Sequence, residues 1–158
     1  MTQAASGIGG EMPGIIVGVD GSAHSQWALE WAMIEAVSRH ALVTALSVHH
    51  QRPVTYTEGD LNLDQAVEEV QALADKAGSH RLGRVPEVTV KVIVGSPAGE
   101  LIGASRDADL LVVGSRGNGG LERRGLGSVS SRVADEARCP VVIISQFSSS
   151  RLTARSAA

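Results

Sequence analysis

Five short apolar runs, each separated from the next by a stretch of helical periodicity, leave this chain very few folds to adopt. Ile15–Val19 is nearly continuous in apolar residues and is bounded by turn formers, as a strand buried on both faces requires. Val43–Val48, Val88–Val94, Leu110–Val113 and Val141–Ile144 repeat the signal. Between them, Ala23–His40 reads as an amphipathic helix, with Trp27, Trp31 and Ile34 at i, i+4 and i+7 and Ala28 and Ala32 beside them. Leu63, Ala66, Val67, Val70, Leu73, Ala74 and Ala77 give a second helix its stripe. Ser96-Pro97 opens a third, and Ser128–Arg138 forms a fourth, with Ser128 as its N-cap and Pro140 beyond its end. Strands that alternate strictly with helices pair in parallel and are covered on both faces. The fold class is therefore α/β, an open parallel sheet.

The third strand departs from this pattern. Its valines alternate with Thr89 and Lys91, the half-polar pattern of a sheet edge. With 158 residues the chain reads as one domain over 14–146, flanked by flexible ends at 1–13 and 147–158. A net charge of −3 and 3% aromatic residues argue against nucleic-acid or membrane partners. The single cysteine, Cys139, excludes intrachain disulfides and CxxC chemistry and reads as a buried spacer. No basic, apolar leader and no long apolar run is present, so a cytoplasmic location is expected.

Composition matters at one point. The chain has 18 glycines, about 11% against an ordinary ~7%. Six of them fall within Gly114–Gly127, in the stretch GSRGNGGLERRGLGSVS between the fourth strand and the fourth helix. In open α/β sheets ligands bind beyond the carboxyl ends of the strands, where the strand order reverses. Glycines there let main-chain N–H groups approach phosphate oxygens, and the following helix N-terminus adds unpaired donors. Gly114, Ser115, Arg116, Gly117, Asn118, Gly119, Gly120, Gly127, Ser128, Val129 and Ser130 thus form a candidate phosphate cradle. Arg123 and Arg124 add charge nearby. The stretch lacks G-x-x-x-x-G-K-[ST], and the first turn, Gly18-x-x-Gly21, lacks the dinucleotide pattern G-x-G-x-x-G.

The spacing Gly114-x2-Gly117-x9-Gly127-Ser128 resembles the ATP-binding pattern of universal stress proteins. IIVGVDGS (Ile15–Ser22), ADLLVVGSRG (Ala108–Gly117) and CPVVII (Cys139–Ile144) resemble the same family. The resemblance implies strand order 3-2-1-4-5, ATP with Mg²⁺ as ligand, and a homodimer. It places Asp20 in the ribose or phosphate–metal region with Gly18 close by, and main-chain groups of Val48 at the adenine edge. Val113, Gly114 and Gly117 would line ribose and triphosphate, and Gly127, Ser128, Val129 and Ser130 would hold phosphates.

An apolar last strand at a sheet edge invites pairing with another chain, so Val141, Val142, Ile143 and Ile144 are the expected dimer contact. No residue is assigned a catalytic role, since no nucleophile–base or paired-carboxylate spacing is present. His49-His50 ends the second strand near the expected site. The expectation is a nucleotide-dependent stress regulator. A slow ATPase, a binder of cyclic AMP or another adenine nucleotide, and a nucleotide-independent interaction protein remain as alternatives.

Overall fold

A computed structural model of the chain describes residues 14–50, 63–79, 85–117 and 125–146. Five strands, β1 (Gly14–Gly18), β2 (Leu42–His49), β3 (Val88–Val94), β4 (Leu110–Gly114) and β5 (Val141–Ile144), form one sheet in the order β3-β2-β1-β4-β5. Every pairing is parallel. Four helices, α1 (Ala23–Arg39), α2 (Leu63–Ser79), α3 (Pro97–Ala104) and α4 (Ser128–Glu136), cover its two faces, and a 3-10 turn at Ser105–Asp107 follows α3. Among the described residues no helix is long and apolar enough to cross a membrane. The expected flanking segments 1–13 and 147–158 lie outside the described residues, as do residues 51–62, 80–84 and 118–124.

The apolar runs divide between two cores because successive strand side chains point to opposite faces. Ile15, Val17, Val43, Ala45, Leu110 and Val112 pack on one face with Leu29 and Met33 of α1 and Val70 and Ala74 of α2. Leu46, Leu111 and Val113 pack on the other with Leu101 of α3 and Val133 of α4. A strand such as β4, with helices above and below, has no position at which a polar side chain would meet water. Leu110–Val113 are accordingly all buried.

Three helices differ in detail from their expected form. On α1 the fully buried stripe is Ala28, Leu29, Ala32, Met33 and Ala36, while Trp27 and Trp31 pack partly buried at its flank. Alanines let the helix axis approach the sheet, and the bulkier indoles fill the wedge beside it. On α2 Ala66, Val70 and Ala74 are buried, Leu73 and Ala77 pack partly buried against the same core, and Val67 is exposed. The fourth helix ends at Glu136, and Gly127, not Ser128, is its N-cap, in extended geometry at φ −69° and ψ 170°. The first helical bond, Ser131 N–H to Gly127 O at 3.0 Å, makes Ser128 already helical.

β3 occupies one edge, with Thr89 and Lys91 exposed and Val88, Val90 and Val92 half-buried. β5 occupies the other edge beside β4, with Val141, Val142 and Ile143 half-buried.

Candidate functional site

Strand order reverses direction at β1, whose neighbours are β2 and β4. The chain leaves β1 toward α1 through Asp20-Gly21-Ser22, and hydrogen bonds fix that turn. The Ser22 N–H donates to Asp20 Oδ1 at 2.9 Å, and the Asp20 N–H donates to Ser25 Oγ at 3.3 Å. Ser22 caps α1, its Oγ accepting from the Ser25 N–H at 3.2 Å.

The loop after β4 is closed at its base. The Gly127 N–H donates to Ser115 O at 2.8 Å, and the Ser130 hydroxyl lies 2.9 Å from the same carbonyl and 3.1 Å from Gly127 O. Arg116 Nε–H donates across the loop to Gly125 O at 3.4 Å. The two ends of the loop, Ser115 and Gly127, are thereby joined, and the first turn of α4 is presented at the sheet's carboxyl edge. The N–H groups of Ser128, Val129 and Ser130 precede the first helical bond and are the donors that every helix start leaves over.

Glycines bring the two turns together. A Cβ on Gly114 would lie 2.7 Å from His24 Cβ and 2.8 Å from the His24 carbonyl carbon, so β4 and the first turn of α1 touch at that point. A Cβ on Gly117 would run into Asp20 Oδ2, so the carboxylate rests directly against the glycine loop.

The result is a cleft of about 1010 Å³. Of the residues expected to bind, Gly18, Asp20, Val48, Val113, Gly114, Arg116 and Gly117 line it, as do Gly127, Ser128, Val129 and Ser130. Ser115 does not line it; it is buried and ties the loop base. Asn118, Gly119, Gly120, Arg123 and Arg124 lie outside the described residues.

The cleft has two chemically different halves. Toward β2 and β3 it is walled by Leu46, Val48, Pro97 and Leu101, and toward β4 by glycines and the α4 start. His50 lines the cleft, whereas His49 does not; His49 Nε2 is buried without a hydrogen-bond partner among the described residues.

Sequence reading missed His24, Ser25, Leu46, Pro97, Leu101 and Leu126, all of which line the cleft. Pro97 was legible in principle, because the β3–α3 turn leaves a parallel sheet at the same edge as the others. His24 had no local signal, since only its contact with Gly114 brings it there. Cys139 stands apart from the cleft and is half-buried, not fully buried as expected. Burial pushes its thiol pKa up, the Asp109 carboxylate adds to the rise, and a main-chain hydrogen bond at Leu111 opposes it.

Comparison with known proteins gives a consistent result. The model of the universal stress protein family matches residues 12–145. Universal stress protein Rv2624c of Mycobacterium tuberculosis is 32% identical over 136 residues, covering 84% of this chain and 48% of the relative. A universal stress protein of Mycolicibacterium smegmatis is 36% identical over 143 residues, covering 83% and 47%. The chain thus spans about half the length of these relatives. Among solved structures, universal stress protein UspA from Lactobacillus plantarum superposes with TM-score 0.63 at 27% identity, over 87% of this chain and all (100%) of that one. A universal stress protein in complex with cAMP superposes at 0.65 with 24% identity, covering 85% and 98%. One from Archaeoglobus fulgidus in complex with dAMP superposes at 0.61 with 22% identity, with the same coverage of 85% and 98%. The last two likenesses bear on the fold.

Proposed function

The chain belongs to the universal stress protein family, and from that premise we propose that it is an ATP-binding regulator working as a homodimer. The observation that carries the reading is the meeting, in one cleft, of Gly117, the α4 start at Gly127–Ser130 and the apolar wall of Val48. The phosphates would lie against the N–H groups of Ser128, Val129 and Ser130, where unpaired donors and the helix dipole favour negative charge. The base would lie against aliphatic side chains, with main-chain groups of Val48 at its edge. This suits a cleft whose apolar half contains leucine, valine and proline.

Mg²⁺ bound with nucleotide keeps most of its waters and takes one or two carboxylates beside the phosphates. Asp20 fits that role, as an exposed carboxylate set against the glycine loop. The ion would supply charge neutralisation between Asp20 and the phosphate chain. The chemistry assigned is binding and signalling, with no turnover step.

The test is calorimetric titration with ATP and Mg²⁺. Wild type is expected to bind, and Gly117→Glu to lose binding, because its side chain has to displace the Asp20 carboxylate and adds a second negative charge. Equal affinity in both would discard the site. A second reading, a monophosphate or cyclic nucleotide, draws on the relatives described with cAMP and dAMP. Competition of each against bound ATP separates the two.

A further inference from the structure

Leu101 lines the cleft, and neither the glycine spacing nor the resemblance assigns it. The inference drawn from it rests on the nucleotide reading and refines which bases the cleft admits. On the face of the sheet that α3 and α4 cover, three strands contribute one row near the carboxyl edge. Gly18 of β1 pairs in register with Leu46 of β2. On its other side Val17 pairs with Val112 of β4, so Gly18 and Val113 are the next residues abreast. The row therefore reads leucine, glycine, valine, and the glycine leaves a notch between two branched side chains.

Leu101 fills that notch. A Cβ on Gly18 would lie 3.2 Å and 3.3 Å from Leu101 Cδ1 and Cδ2, and 3.4 Å from Val113 Cγ1. Both methyl groups of Leu101 are thus seated on the Gly18 main chain. The side chain is 4% exposed and belongs to the same apolar cluster as Leu46 and Val113. Its position follows from the start of α3. Pro97 opens that helix, and Ala98 and Leu101, three residues apart, are its buried side.

Gly18, Leu46, Leu101 and Val113 all line the cleft, so the filled notch is part of its floor at the apolar end. A floor of methyl groups offers no donor or acceptor and discriminates by shape. A ring can lie across it, whereas a group projecting into it meets close-packed carbon.

We propose that Leu101 sets the depth of the base end of the cleft and is a specificity-determining residue. A flat, unsubstituted base fits above the row, and a base carrying a bulky apolar substituent on the edge that meets it is excluded. Truncating Leu101 opens space continuous with the cleft, because the surroundings of a shortened core side chain close only part of the cavity it leaves.

The experiment measures Kd for ATP and for ATP derivatives carrying a benzyl group on N6, C2 or C8 of the adenine. The proteins are wild type, Leu101→Ala, Leu101→Val, the double variant Gly18→Val/Leu101→Ala, and Ile102→Ala. Wild type should bind ATP and reject the derivatives. Leu101→Ala should gain about tenfold or more for at least one derivative relative to ATP, the affinity that burying an aromatic ring contributes. Leu101→Val should show a smaller gain for the same derivative, and it carries the test where the alanine variant fails to fold. The double variant returns branched volume to the notch from the strand side and should lose the gain. Ile102→Ala truncates the same apolar cluster away from the cleft and should follow wild type. No gain for any derivative in either Leu101 variant would overturn the role of Leu101, as would wild type binding every derivative as tightly as ATP. An equal gain in Ile102→Ala would overturn it in favour of a general loosening of the core. Failure of wild type to bind ATP would instead remove the nucleotide reading on which the inference stands.

Discussion

Gly114 and Gly117 belong to one glycine pattern, and the structure gives them different duties. Gly114 is a packing residue, because a Cβ there would lie 2.7 Å and 2.8 Å from atoms of His24, one of them main chain. Gly114→Ala should therefore destabilise the fold, by about 1–3 kcal/mol, as overpacking of a tight contact does. A urea unfolding midpoint unchanged from wild type would contradict that contact. Gly117 has only the end of a carboxylate in its way, so its substitution acts on Asp20 and the site more than on stability. Ser130 shows the same division of labour. Its hydroxyl is spent on Ser115 O and Gly127 O, while its N–H remains among the donors at the start of α4. Spacing located all of these residues. Which ones pack, tether or face the cleft depends on atoms that are distant in the sequence.

Among the elements, a helix start is marked by its own residues where a side chain makes the cap, as Ser22 does for α1. It is marked as well where Pro97 follows Ser96 at the start of α3, although Ser96 makes no side-chain cap bond. At the other end of α1, His40 takes left-handed geometry at φ 54°, and its N–H reaches Ala36 O and Val37 O. This geometry turns the chain back toward β2, and it is strained for a residue with a Cβ. His40→Gly should stabilise the protein by about 1 kcal/mol, since glycine meets no such penalty. Thermal or urea unfolding would register the gain, and a loss would show that the His40 side chain contributes more than its backbone strain costs. At α4 the cap is Gly127, a residue without a side chain to signal it, and the sequence placed it one residue late. The tryptophan stripe of α1 was off for a related reason. Periodicity finds the apolar side of a helix, but the distance from helix to sheet decides whether alanine or indole stands at its centre.

At the scale of the whole molecule, β5 is an edge strand with three half-buried apolar residues and a single strand neighbour, β4. Unpaired main-chain groups on an apolar edge favour a second copy. Light scattering at micromolar concentration should give twice the chain mass, and a monomer would remove the homodimer from the proposal. The sequence by itself determined the elements, their parallel pairing and the alternation that put β3 at an edge. Those properties follow from side-chain periodicity and chain connectivity, which are local. Tertiary structure alone decided that His24, Leu46 and Leu101 share a cleft with the glycine loop. They come from three different elements, α1, β2 and α3, and what joins them is the sheet order together with the two close approaches at Gly114 and Gly117. Proximity of that kind depends on how the elements pack, and no run of neighbouring residues encodes it.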